Sequence, residues 1–176
     1  MNASRITGHL GMRPLSEFGL HARRAIRGVF ADIDDTLTTE GRLTAEAYGA
    51  LERLKRAGLL MIPITGRAAG WCDHIARMWP VDGVVGENGA FYFRYDPERR
   101  VMQRRFVDEA QTRADNHARL IEIGAGIVKA VPGSAIAGDQ QYRETDLAID
   151  FCENVPRLPD LRPFSARGRG RQYSRI

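Results

Sequence analysis

Cysteine is scarce in this chain, and lysine is scarcer than its charge would suggest. The two cysteines, Cys72 and Cys152, stand far apart and in no C-x-x-C spacing. That argues against a disulfide framework or a thiolate zinc site and reads as two reduced core thiols in a cytoplasmic protein. Lysine occurs only at Lys55 and Lys129. Histidine is confined to His9, His21, His74 and His117, scattered with no zinc spacing. Long apolar runs are missing too. The longest near the middle, Leu59 to Ile64, is far too short to span a bilayer, so no membrane partner is expected. The N-terminus has basic residues but no apolar stretch leading to a small-residue cleavage site, which argues against a signal peptide.

The formal net charge of +4 raises the question of a polyanionic partner, and its location answers it. Residues 157–176 hold six arginines against Asp160, a surplus of +5, so the first 156 residues sum to −1. The basic character belongs to the tail, and no nucleic-acid partner is expected.

Residues 1–27 show no sustained period and read as a loose N-terminal extension, with Met12 as an alternative start. Gly28-Val29-Phe30-Ala31 is a short apolar strand running into a cluster of acids. A helix follows, with Thr44 as N-cap, Ala47, Ala50, Leu51 and Leu54 on one face, and Gly58 as its stop. Leu59 to Ile64 is a second strand, ended by Thr65-Gly66-Arg67. A second helix shows Trp71, Ile75 and Met78 at i, i+4, i+7 and closes at Pro80, and Gly83 to Gly86 is a third strand. This alternation predicts an α/β, Rossmann-like parallel sheet with helices on both faces and ligands at the C-terminal strand ends. Ala90 to Tyr95 and Val101 to Val107 read as a hairpin through Asp96-Pro97. A helix from about Asp108 carries Ala110, Ala114, Ala118, Ile121 and Val128 near one face, weakened by Gly124 and Gly126, and Leu147 to Phe151 is strand-like. The predicted division is an extension over 1–27, core over 28–95, a partial α/β cap over 96–155 and a disordered basic tail over 156–176.

Chemistry concentrates in Asp32-Ile33-Asp34-Asp35-Thr36-Leu37-Thr38. Two carboxylates two residues apart in extended chain point the same way, toward one ligand. One can act as nucleophile and metal ligand, the other as proton donor to a leaving oxygen. Two anions beside a phosphate call for a hard cation such as Mg²⁺. Taken alone, the acids read equally well as a solvated turn, and Thr65 as an ordinary N-cap. Together, a hydroxyl and free backbone N–H groups at Thr65-Gly66 supply donors for a phosphate beside the acids.

These residues resemble a known family. Asp32 to Thr38 is similar to the first motif of the haloacid dehalogenase superfamily, and Ile62 to Arg67 to its second motif in the Thr-Gly-Arg form. Glu87-Asn88-Gly89-Ala90 is similar to the Asn-Gly element of the subgroup that carries a large α/β cap, which includes sugar-phosphate phosphatases and phosphomannomutases. The resemblance implies Asp32 as nucleophile and Mg²⁺ ligand, and Asp34 as general acid/base with its carbonyl on the metal. It implies Thr65 and Gly66 as holders of the phosphoryl oxygens, with Arg67 and Asn88 at the mouth, and a small phosphorylated metabolite as substrate. Asp35 stands where the family often has glycine. A phosphomutase using the same aspartyl-phosphate, or a truncated non-catalytic fragment, is the alternative.

The subgroup also carries a charge-stabilising lysine and an acidic metal motif after the cap. Nothing past Phe151 resembles them. The expectation is therefore a truncated chain with impaired catalysis, weak Mg²⁺ binding and self-association through an incomplete sheet.

Overall fold

The computed structural model describes residues 14–158. Within the segment expected to be loose lie a 3-10 turn (Leu15–Glu17) and a short helix, α1 (Leu20–Ala25), none of whose residues is buried. Residues 159–176, most of the expected disordered tail, lie outside the described residues.

Strand β1 (Gly28–Asp32) opens the core. A small antiparallel pair, β2 (Thr38–Thr39) and β3 (Arg42–Leu43), leads into α2 (Ala45–Arg56). Thr44 caps α2 as its sequence suggests, its Oγ accepting the Ala47 N–H at 3.2 Å. Gly58 turns the chain out of the helix at φ +74°, where a side chain would be strained. Strand β4 (Leu60–Ile64), helix α3 (Ala69–Met78) and strand β5 (Val84–Gly86) follow. Then come β6 (Phe91–Asp96) and β7 (Val101–Phe106).

These five longer strands form one sheet in the order β1-β4-β5-β6-β7, parallel across the first three and antiparallel across the rest. The hairpin therefore continues the core sheet, and a boundary at 95/96 falls inside it. Helix α4 (Ala110–Ala130) runs unbroken through Gly124 and Gly126. Gly124 is buried because a Cβ there would meet the Leu147 side chain at 2.9 Å. The strand expected over Leu147 to Phe151 contracts to β9 (Ile149–Asp150), paired with β8 (Ala135–Ile136).

Three expectations need correction. Helices were expected on both sheet faces, yet α2 and α3 share one. Leu51 of α2 and Cys72 and Ile75 of α3 join a single cluster with Met61, Val84, Phe91 and Phe93. Strands stepping β1, β4, β5 in one direction through right-handed crossovers put both helices on the same side. The buried face of α3 also differs: Trp71 and Met78 are exposed, and Ala69, Cys72, Ile75 and Ala76 are buried. Small residues win there because the helix lies close on the sheet, so close that a Cβ on Gly86 would fall 2.6 Å from Cys72 Sγ. Cys152, read as a core thiol, is exposed. Among the described residues no helix is long and apolar enough to cross a membrane.

Candidate functional site

Asp32 pairs with Ile64 and Ile64 with Val85, so the three parallel strands end together. Their following loops carry Asp34, then Thr65, Gly66 and Arg67, then Asn88. All six residues singled out in the sequence thus occupy one sheet edge.

The first loop is tightly wound. The N–H groups of Thr36, Leu37 and Thr38 all donate to the Ile33 carbonyl, at 3.3, 3.0 and 2.9 Å. The Thr38 hydroxyl donates to the same oxygen at 3.0 Å. Ile33 is buried in the core, whereas its neighbours Asp32 and Asp34 are exposed and half-buried. Asp35 adopts φ +55°, which explains glycine at that place in the family pattern; aspartate is among the residues that tolerate it. Asp32 is exposed and makes no ion pair or side-chain hydrogen bond among the described residues.

Arg67 ties the first two loops together. Its Nη2 donates to Asp34 Oδ1 at 2.7 Å and its Nε to Oδ2 at 3.2 Å, a two-point contact. That bond, ahead of the opposing effect of burial, raises the guanidinium pKa above its ordinary value. Glu153 stands 3.9 Å from the same guanidinium. Thr65 is buried, and its Oγ accepts the Arg67 N–H at 3.0 Å, which leaves its own hydrogen to donate. Asn88, at φ +58°, lays its amide over Gly66, where a Cβ would come within 3.0 Å of Asn88 Oδ1. A side chain at position 66 would crowd that amide and push it aside.

Sequence reasoning passed over a second set of residues. Glu87 is buried, and its carboxylate accepts hydrogen bonds from residues 144–146. Arg143 donates to the Gly66 carbonyl at 3.1 Å and to Asp146 at 2.8 Å. Burial, only partly offset by Arg143, pushes the Asp146 carboxyl above the usual carboxylate range. Glu87 opens the Asn-Gly motif but had no role assigned to it, and residues 143–146 carry no period and fall in no motif; the density of charge there was the only signal.

Magnesium is the cation the resemblance implies. Asp32 offers one carboxylate, and the resemblance adds the Asp34 carbonyl. No group of three or more His, Cys, Asp or Glu that could hold a metal occurs among the described residues. That donor set suits Mg²⁺, which keeps several waters and takes one or two carboxylates plus substrate phosphate, and does not suit zinc. Lys55 is no part of the site. Its Nζ donates to the Val81 carbonyl at 3.3 Å, ahead of β5 and so at the opposite sheet edge.

The sequence profile of the haloacid dehalogenase-like hydrolases matches residues 29–118. No curated protein matches the chain in sequence. Among solved structures, protein 0175 of Thermoplasma acidophilum superposes with a TM-score of 0.53 at 18% identity, over 71% of this chain and 51% of that one. A haloacid dehalogenase-like hydrolase of Bacillus subtilis gives 0.44 at 21% identity, over 64% and 36%. A phosphatase of the same superfamily from Bacteroides thetaiotaomicron gives 0.41 at 22%, over 67% and 40%. The chain spans about half the length of the Thermoplasma protein, whose likeness shows the shared fold. With the profile covering half of the sequence and crossing all three motif loops, the chain belongs to the haloacid dehalogenase-like hydrolases.

Proposed function

We propose that the chain is a Mg²⁺-dependent hydrolase of a small phosphorylated metabolite, acting through an aspartyl-phosphate on Asp32. The observation that carries this reading is the exposed Asp32 carboxylate, free of partners among the described residues, beside a donor-bearing turn. A nucleophile needs a free oxygen, and a phosphoryl group needs donors where its charge develops.

The Thr65 hydroxyl and Gly66 N–H bind the phosphoryl oxygens. An Asp32 oxygen forms a bond to phosphorus as the bond to the leaving oxygen breaks, and that oxygen takes a proton from Asp34. Asp34 then accepts a proton from water, whose oxygen displaces Asp32 and releases inorganic phosphate. Before either transfer Arg67 has to give up at least one of its two contacts with Asp34. The Asp32 carboxylate and the Asp34 carbonyl would hold Mg²⁺, which would supply neutralisation of the phosphoryl charge.

The test is hydrolysis of p-nitrophenyl phosphate by the purified chain with excess Mg²⁺. Asp32→Asn is expected to abolish turnover, since the amide neither attacks phosphorus nor balances the cation. Turnover within a few-fold of the unsubstituted chain would reject Asp32 as nucleophile.

A further inference from the structure

We infer that Glu87 is a positioning residue, whose buried carboxylate lashes residues 143–146 onto the Thr65-Gly66-Arg67 turn and so holds that turn in its donor-presenting form. Glu87 is only 3% exposed and has no cation paired with it among the described residues. A buried carboxylate persists only when hydrogen bonds replace its water. Here Oε1 accepts the N–H of Ala69 at 2.9 Å and of Glu144 at 2.9 Å. Oε2 accepts the N–H of Thr145 at 2.7 Å, that of Asp146 at 3.1 Å and the Thr145 hydroxyl. Ala69 is the first residue of α3, so one side chain joins the end of β5, a helix N-terminus and a segment 57 to 59 residues downstream.

The same residue also reaches the turn directly, its own N–H donating to the Arg67 carbonyl at 3.3 Å. From the downstream side Arg143 holds the Gly66 carbonyl at 3.1 Å. The Gly66–Arg67 peptide is thereby pinned at both ends, its carbonyl by Arg143 and its N–H by Thr65 Oγ. With its Oγ accepting from Arg67, Thr65 keeps its own hydrogen to donate, which is what a phosphoryl oxygen requires. Glu87 holds φ +44°, an uncommon setting for a residue with a side chain, and these bonds keep it there.

Hydrogen exchange on the full chain tests the inference, comparing it with Glu87→Gln and Thr145→Val. Glutamine keeps the shape but turns an amide NH₂ toward backbone donors. In both variants the amides of 144–146, and with them that of Arg67, which Thr65 Oγ holds, are expected to exchange roughly tenfold faster or more. Amides of β4 are expected to keep their protection. Unchanged exchange at 144–146 overturns the anchor, and loosening there with Arg67 unmoved overturns the positioning. If Glu87→Gln does not fold, Thr145→Val, which keeps the carboxylate and its backbone donors, decides by the same readout. The bearing on phosphate rests on the function proposed above and is read by titrating inorganic phosphate in the presence of Mg²⁺. Affinity is expected to drop roughly tenfold in the variants. Equal affinity in all three chains overturns the positioning role. No binding by the unsubstituted chain counts against the proposed function, while exchange still decides the role of Glu87.

Discussion

Asp32 ends β1 and Asp34 lies two residues on in the loop that follows, yet their surroundings separate their tasks. Asp34 is gripped at two points by Arg67, and Asp32 is open. If Asp34 serves the leaving oxygen, Asp34→Asn is expected to slow esters of poorly leaving alcohols far more than those of phenols, since only the former need the proton. Equal losses across leaving groups of differing pKa would remove it from that role. The two cysteines make a similar contrast. Burial, reinforced by Glu87, pushes the Cys72 thiol up to about 12, and Cys152 is exposed. Thiolate is the reactive form, so at neutral pH Ellman's reagent is expected to label one thiol at once and the second only on unfolding. Because Cys72 ionises more readily unfolded, its contribution is intact below the unfolded thiol pKa, about 8.5, and declines as pH rises beyond it. Two thiols reacting at the same rate in the folded chain would refute this.

At the scale of elements, legibility followed how local the cause was. The Thr44 cap, the Gly58 stop and the three strand ends were readable because each depends on a few neighbouring residues. The buried face of α3 was not. Hydrophobicity favours Trp71 and Met78, whereas the contact with Phe91 and the small Gly86 selects alanine and cysteine. Glu87 was invisible as an anchor because its partners are far along the chain. Two glycines turn this into opposed expectations. Gly86→Ala places a Cβ 2.4 Å from the Phe91 ring, an overpacking expected to destabilise by about 1–3 kcal/mol. Gly126, inside α4 with nothing within 4 Å of a Cβ, is expected to gain about 0.4–1 kcal/mol on substitution by alanine. Urea midpoints measure both, and shifts of the same sign would contradict the packing argument.

For the whole molecule, what matters is the face that α2 and α3 leave bare. Partners across the sheet point to the same side, so Phe30, Ile62, Ile64, Val85 and Tyr92 share that face. Phe30 is 63% exposed, Leu60 51% and Ile64 38%. Further along, the same face turns polar at Arg94, Gln103 and Arg105, which guard the β7 edge with charge. The β1 edge has no such guard. Its residues are Gly28-Val29-Phe30-Ala31-Asp32, and β1 pairs only with β4 among the described residues. An apolar edge with unpaired backbone groups, flanking an apolar surface, is a template for pairing with another strand. The chain is therefore expected to self-associate as concentration rises through the micromolar range, where exposed edges and apolar surface drive assembly. Phe30→Lys removes the most exposed of the apolar side chains on this face and sets a charge on the edge without touching the helix-facing core. It is expected to shift the population back toward monomer. Sedimentation velocity over a concentration series reads the outcome directly. A chain that stays monomeric throughout, or a Phe30→Lys variant that associates as strongly as its parent, would show that this face and edge do not drive contact.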